Sequence, residues 1–143
     1  VVPDDRYRLA PVRDERTRTE RVKRGDLAIA VGDARTTETA LALAVSRVAN
    51  ARVVLATAVA ARDATASVPA RVHADRYVVR RRRDLEAAIA EELRASSAHD
   101  ERLGGIDDAR RVLARAHAER EVIERHFARW REDRRKAAER RED

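Results

Sequence analysis

The stretch "RDATASVPAR", Arg62 to Arg71, joins two long segments that each read as helix, and it decides the fold. Its residues are small or hydroxylated, and it holds Pro69. Inside a helix a proline loses a backbone hydrogen bond and clashes with the turn before it, whereas at a first turn it is well accommodated. The chain is therefore predicted to turn over about residues 63–70. A first helix is expected over about residues 5–62 and a second over about 71–141.

Upstream of the turn, Leu27, Val31, Ala34, Glu38, Leu41, Val45, Val48, Arg52, Leu55 and Val59 follow one another at alternating steps of four and three. That is the repeat of a coiled-coil seam. Val22 and Ile29 fall off this register, so the stripe is expected to drift toward the N-terminus. Downstream, Ile106, Ala109, Leu113, Ala116, Arg120, Ile123, Phe127, Trp130, Arg134 and Ala137 form a cleaner seam of the same kind. Between it and the turn, Leu85, Ile89, Leu93, His99 and Leu103 continue an apolar stripe with a shift in register. Glu121 with Arg125, and Glu132 with Lys136, sit four apart, where opposite charges support an exposed helix.

The predicted fold class is all-α, a single domain over residues 1–143 built as a long antiparallel two-helix coiled-coil hairpin. At about 1.5 Å per residue, its helices predict a length on the order of 80 to 100 Å, with both chain ends at one tip and the turn at the other. Gly25 and Gly32 are expected to allow tight packing, and Gly104 and Gly105 either to mark a local bend or a close helix contact, given the freedom of glycine, or to be tolerated defects in the helix.

Composition agrees with long helices. Asp, Glu, Lys and Arg make up 41% of the 143 residues, against roughly 25% in an ordinary globular domain. Aromatics are 3%, and only 4 Gly and 3 Pro interrupt an Ala-rich chain. With no Cys, disulfides, thiolate metal sites and a cysteine nucleophile are excluded. No apolar run is expected to reach the roughly 20 residues of a membrane span, and "VVPDDRYRLA" lacks the features of a secretory signal. A cytoplasmic protein is the expectation. The net charge of +6 is spread evenly: residues 1–70 carry 12 Lys or Arg against 9 acids, and residues 71–143 carry 20 against 17. Only Arg80 to Arg83 forms a basic block, less than a row of phosphate contacts needs.

Candidate chemistry is sparse. None of His73, His99, His117 and His126 are three or four apart, so no helix offers a two-histidine metal grip. Asp107 with Asp108, and Glu91 with Glu92, are adjacent rather than facing each other across a cleft, so nothing separates their pKa values for acid and base work. The glycines of "VGDARTTET" and "RLGGIDD" lack a phosphate-cradling pattern. No enzyme activity, cofactor or metal is expected. Trp130, the single Trp, reads first as a seam residue, and near the chain ends it can be half covered and serve a partner as well. His126 beside Phe127 is the histidine best placed for such a contact.

The opening "YRLAPVRDERTRTE", the "DLEAAIAEEL" of Asp84 to Leu93 and the closing "DDARRVLARAHAEREVIERHFARWREDRRKAAERRED" resemble the stalk protein of the flagellar export apparatus (FliJ) and its injectisome counterpart (YscO). The resemblance spans nearly the whole chain in length and layout, and its motifs are shared by many Ala- and Arg-rich coiled coils. It implies a non-enzymatic stalk of a type III export system. The tip made by both termini would enter the hexameric export ATPase, and another part would reach the cytoplasmic domain of the export gate. Export chaperones are further partners it implies, with only peripheral association at the cytoplasmic face of the inner membrane.

Carried onto this sequence, the ATPase-ring contact would comprise Arg13, Arg16, Arg129, Trp130, Arg131 and Arg135, since arginine forks suit the carboxylates of pore loops. The gate contact would comprise Tyr77, Arg81, Leu85 and Ala88. Arg81 stands where the resemblance calls for an aromatic, and Tyr77 supplies one nearby. Two other readings stay open: a basic coiled coil that binds nucleic acid or the ribosome through Arg80 to Arg83, and a structural coiled coil that dimerises. Arg52, Arg120 and Arg134 at seam positions favour the latter.

Overall fold

The computed structural model describes residues 6–142, the side chains through Arg141. Two helices account for nearly all of them, α1 (Ala10–Asp63) and α2 (Val68–Glu142), and no strand occurs among the described residues. The helices pack against each other as an antiparallel hairpin. The turn is tighter than the sequence suggested, occupying only residues 64–67. Both helices start in the same way, with a proline as the second residue, Pro11 in α1 and Pro69 in α2. The residue ahead of each accepts the first helical bond: Leu9 O from Arg13 N at 3.0 Å, and Ser67 O from Arg71 N at 2.9 Å. Pro11 explains why α1 begins at Ala10 rather than near residue 5. Its ring blocks a helix from running on through the preceding turn, and Tyr7 O instead receives Ala10 N in a short turn.

The structure divides into two compact units at Val31/Gly32 and Gly104/Gly105. The chain-end unit pairs the first part of α1 with the last part of α2, and the turn unit comprises residues 32–104.

In the turn unit the buried or half-buried face of α1 runs through Ala34, Thr37, Leu41, Ala44, Val48, Ala51, Leu55 and Ala58, alternating three and four. Glu38, Val45 and Arg52, expected on the seam, are exposed. The other seven of the ten expected seam positions are buried or half-buried, and the three exposed ones are replaced one position earlier by Thr37, Ala44 and Ala51. Small residues there let α2 approach, and α2 answers with Ala74, Val78, Arg81, Leu85, Ala88, Glu92, Ala95 and His99 in unbroken heptad phase. The predicted register shift in α2 does not occur, because Ile89, Leu93 and Leu103 point outward. Cross-helix pairs place the register: Asp33 with Arg102 at 3.6 Å, Arg47 with Glu91 at 2.6 Å, Arg62 with Asp75 at 3.8 Å. Thr37 Oγ1 donates to Ala34 O at 2.9 Å. The same hydroxyl lies 2.9 Å from His99 Nδ1, and the histidine tautomer sets which of the two donates.

In the chain-end unit the inward positions of α1 are Arg13, Arg16, Glu20, Lys23, Leu27 and Ala30. The predicted drift is absent. Ile29 is 66% exposed and Val22 lies outside too, while charged residues occupy the seam in strict phase. On α2 the seam from Ile106 to Trp130 is as expected, with Ile106, Ala116 and Ile123 buried, and it fades at Arg134 and Ala137, which are exposed.

No glycine performs the packing expected of it. A methyl group at Gly25, Gly32, Gly104 or Gly105 would meet nothing within 4 Å. The helices run through all four positions. One further expectation changes: α1 holds an 18-residue window of mean hydropathy 1.4 with at most two charged residues, of which 17% is buried, so it is long and apolar enough to cross a membrane by length and composition. Arg47 and Arg52 break the run of Leu, Val and Ala between Ala40 and Ala61 without lowering its average enough to fail that test.

Candidate functional site

The chain-end unit gathers the aromatic residues. Tyr7, just ahead of α1, lies 5.0 Å from Phe127 and 5.2 Å from Trp130 between ring centroids, and Phe127 and Trp130 stack at 5.7 Å with a 19° interplanar angle. Spacing explains the α2 half, since residues 127 and 130 are neighbours on one helix face. Antiparallel pairing explains the rest, because it brings the residue before α1 opposite the last aromatic turn of α2. The Tyr7 hydroxyl reaches His126 Nδ1 at 2.8 Å, so with the imidazole proton on Nε2 it donates and the ring is held in place. Tyr7 is buried although it precedes the helix.

Arginines frame the cluster. The Arg13 guanidinium lies over the Phe127 ring at 4.2 Å, with Arg131 at 5.9 Å from the same ring and Arg134 at 5.4 Å from Trp130. Such contacts favour the cation only modestly at exposed sites. Arg13 Nε also donates to Glu124 Oε1 at 2.8 Å. That bond raises the arginine pKa and holds the Glu124 carboxyl below its ordinary range. Arg135 donates to Glu132 at 2.8 Å, with the same pair of shifts, and the bond is again the leading cause.

Among the proposed ring-contact residues the outcome is therefore uneven. Arg13 and Arg16 face inward and pair across the helices with Glu124 and Glu119, and Arg135 is held within α2. Arg129 is exposed and pairs with none of the described carboxylates, and Arg131 is exposed beside Phe127. Trp130 is half-buried in the aromatic cluster. Tyr7 was not among the expected contacts. The signal available for it was an aromatic just ahead of a helix start, in a hairpin whose other end carries aromatics.

One turn further into α1, Glu20 is 2% exposed. Arg24 donates to it at 2.7 Å from the same helix, and from α2 Arg120 approaches to 3.2 Å and His117 to 3.5 Å. His117 reaches Glu121 with its other nitrogen at 3.3 Å. A buried carboxylate left without the Arg24 and Arg120 guanidinium groups would be costly, so the cluster favours one register of α1 against α2 over slipped alternatives. Among the described residues no group of three or more His, Cys, Asp or Glu could hold a metal ion.

In the turn unit, Tyr77 is partly exposed, with Arg80 and Arg81 at 5.7 and 5.0 Å from its ring. Arg81 pairs with Asp84 at 3.0 Å. Leu85 and Ala88 lie on the inward face of α2, half-buried against α1. Of the four proposed gate residues, Tyr77 is the most open, and the other three are shared with the helix seam. Nearby outward positions carry large apolar residues, among them Val53, Val68 and Leu93 at 67%, 76% and 70% exposure.

Against known proteins, no family model matches the chain, and neither a curated protein nor a solved structure matches it.

Proposed function

We propose that the chain is a non-enzymatic stalk of a type III export apparatus, flagellar or injectisome. Its chain-end unit engages the hexameric export ATPase, and its turn unit engages the cytoplasmic domain of the export gate, at the cytoplasmic face of the inner membrane. The observation that carries this reading is the aromatic and arginine cluster assembled from both chain ends. Aromatics and arginine are the residue types enriched at interaction hot spots, and here they gather where Arg131 stands exposed beside Phe127, with Arg129 exposed on the same helix. Tyr77 and the outward apolar residues of the turn unit supply a second, separate contact surface, as a protein linking two partners requires. The proposal follows the sequence resemblance to the FliJ and YscO stalk proteins and involves no cofactor, metal or nucleic acid.

The test is ATP hydrolysis by the type III export ATPase of the same organism, titrated with this protein and with a variant carrying Arg129→Ala, Arg131→Ala and Arg135→Ala. Wild-type protein is expected to stimulate hydrolysis and the variant to lose most of that effect. If neither hydrolysis nor ring assembly responds, the stalk reading fails. The exposed apolar residues of the turn unit also favour a second reading, a coiled coil that pairs with another copy of itself; a mass that doubles with concentration, without any ATPase response, is its signature.

A further inference from the structure

Beside the aromatic cluster is a groove of about 420 Å³ lined by Arg6, Tyr7, Arg8, Leu9, His126 and Trp130. Its volume falls in the lower part of the range seen for small-ligand sites. We propose that this groove docks an acidic peptide segment, one large apolar side chain lying against Trp130 and Leu9 and a flanking carboxylate meeting Arg8.

Three observations converge on that chemistry. The walls are apolar where a side chain would enter: Trp130 is half-buried and Leu9 is 37% exposed, so both keep apolar surface that the hairpin does not cover. The rim carries a cation, since Arg8 is exposed and none of the six lining residues is acidic. Arginine forks bind carboxylates in a bidentate manner, so a peptide with Asp or Glu beside its apolar residue complements both parts of the groove. Finally, the walls are held before anything binds. Tyr7 is fixed by its bond to His126 and its contact with Trp130, and Trp130 is backed by Phe127, which lies under Arg13. A preformed wall lowers the ordering cost that otherwise weakens peptide binding.

That the segment belongs to a loop of the ring ATPase rests on the function proposed above, whereas the chemistry of the groove does not. The two are separable by experiment, because Trp130 is the only tryptophan in the chain and its fluorescence reports the groove with no ATPase present.

The full chain would be titrated at low salt with the peptide Ac-Glu-Glu-Leu-Glu-Glu-NH2, with Ac-Glu-Glu-Gly-Glu-Glu-NH2 and Ac-Lys-Lys-Leu-Lys-Lys-NH2 as controls. The oligonucleotide dT8 tests whether stacking on Trp130 serves a nucleic acid instead. A saturable shift in emission is expected with the acidic leucine peptide alone, weakened at least fivefold by Arg8→Glu and by Leu9→Ser, two exposed positions whose variants keep wild-type helicity. No shift, an equal response to the glycine or lysine peptide, or a tighter response to dT8 would overturn the proposal. Peptide binding without ATPase stimulation would remove the ring as the source of the segment and leave the groove standing. Stimulation without peptide binding would do the reverse.

Discussion

At the scale of single residues, the charged positions of the seam separate two kinds of electrostatics. Glu20 is sealed among Arg24, Arg120 and His117, whereas the Arg13–Glu124 pair is about one third exposed on either side and screened by solvent. Its energetic weight is correspondingly modest. The pH dependence still has a definite sign. The Glu124 carboxyl sits below its ordinary range because Arg13 donates to its charged form. An unfolded glutamate titrates at about 4.3. The contribution of the pair is therefore fully present above that value and is lost as pH falls through the lower folded value. Melting temperature followed from about pH 5 downward is expected to drop less steeply in Glu124→Gln than in the wild type, by the share this carboxylate carries. Equal slopes would mean that the pair adds nothing to folding.

At the scale of the helices, the glycines are the informative positions. All four lie in unbroken helix with open space where a side chain would be. Nothing sterically requires glycine there, and glycine in a helix interior costs about 1 kcal/mol relative to alanine. Gly104→Ala and Gly105→Ala are each expected to raise stability by about that amount, seen as a melting temperature a few degrees higher. A loss of stability would mean that the backbone there needs a freedom the helix does not display. The helix starts carry the opposite lesson, because Pro11 and Pro69 set them tightly. Pro69 made the turn legible from sequence, although its position as the second residue of α2 placed the boundary a few residues earlier than expected.

At the scale of the whole molecule, the two units rest on different forces. The chain-end unit places Arg13, Arg16, Glu20 and Lys23 on its seam, and the turn unit places alanine, valine and leucine on the α1 side of its own. Raising salt from about 0.01 M to about 1 M shortens the screening length from roughly 30 Å to roughly 3 Å and weakens exposed pairs while leaving apolar contacts intact. Amide exchange in residues 13–23 is then expected to accelerate more than in residues 41–58, and uniform exchange would refute this division.

The sequence by itself determined that the chain is helical, that it turns once near Pro69, and that α2 packs through Ile106, Ile123, Phe127 and Trp130, because large apolar residues at steps of three and four announce a seam. Only the tertiary structure decided the phase of α1, where the inward row is Ala44, Ala51 and Ala58 and the bulkier Val45 and Val53 turn outward. Alanine gives little hydrophobic signal along a chain, yet its small side chain is what lets a second helix come close, and its value exists only in the presence of that helix. The same holds for Tyr7, whose partners lie more than a hundred residues away and are brought to it by antiparallel pairing alone.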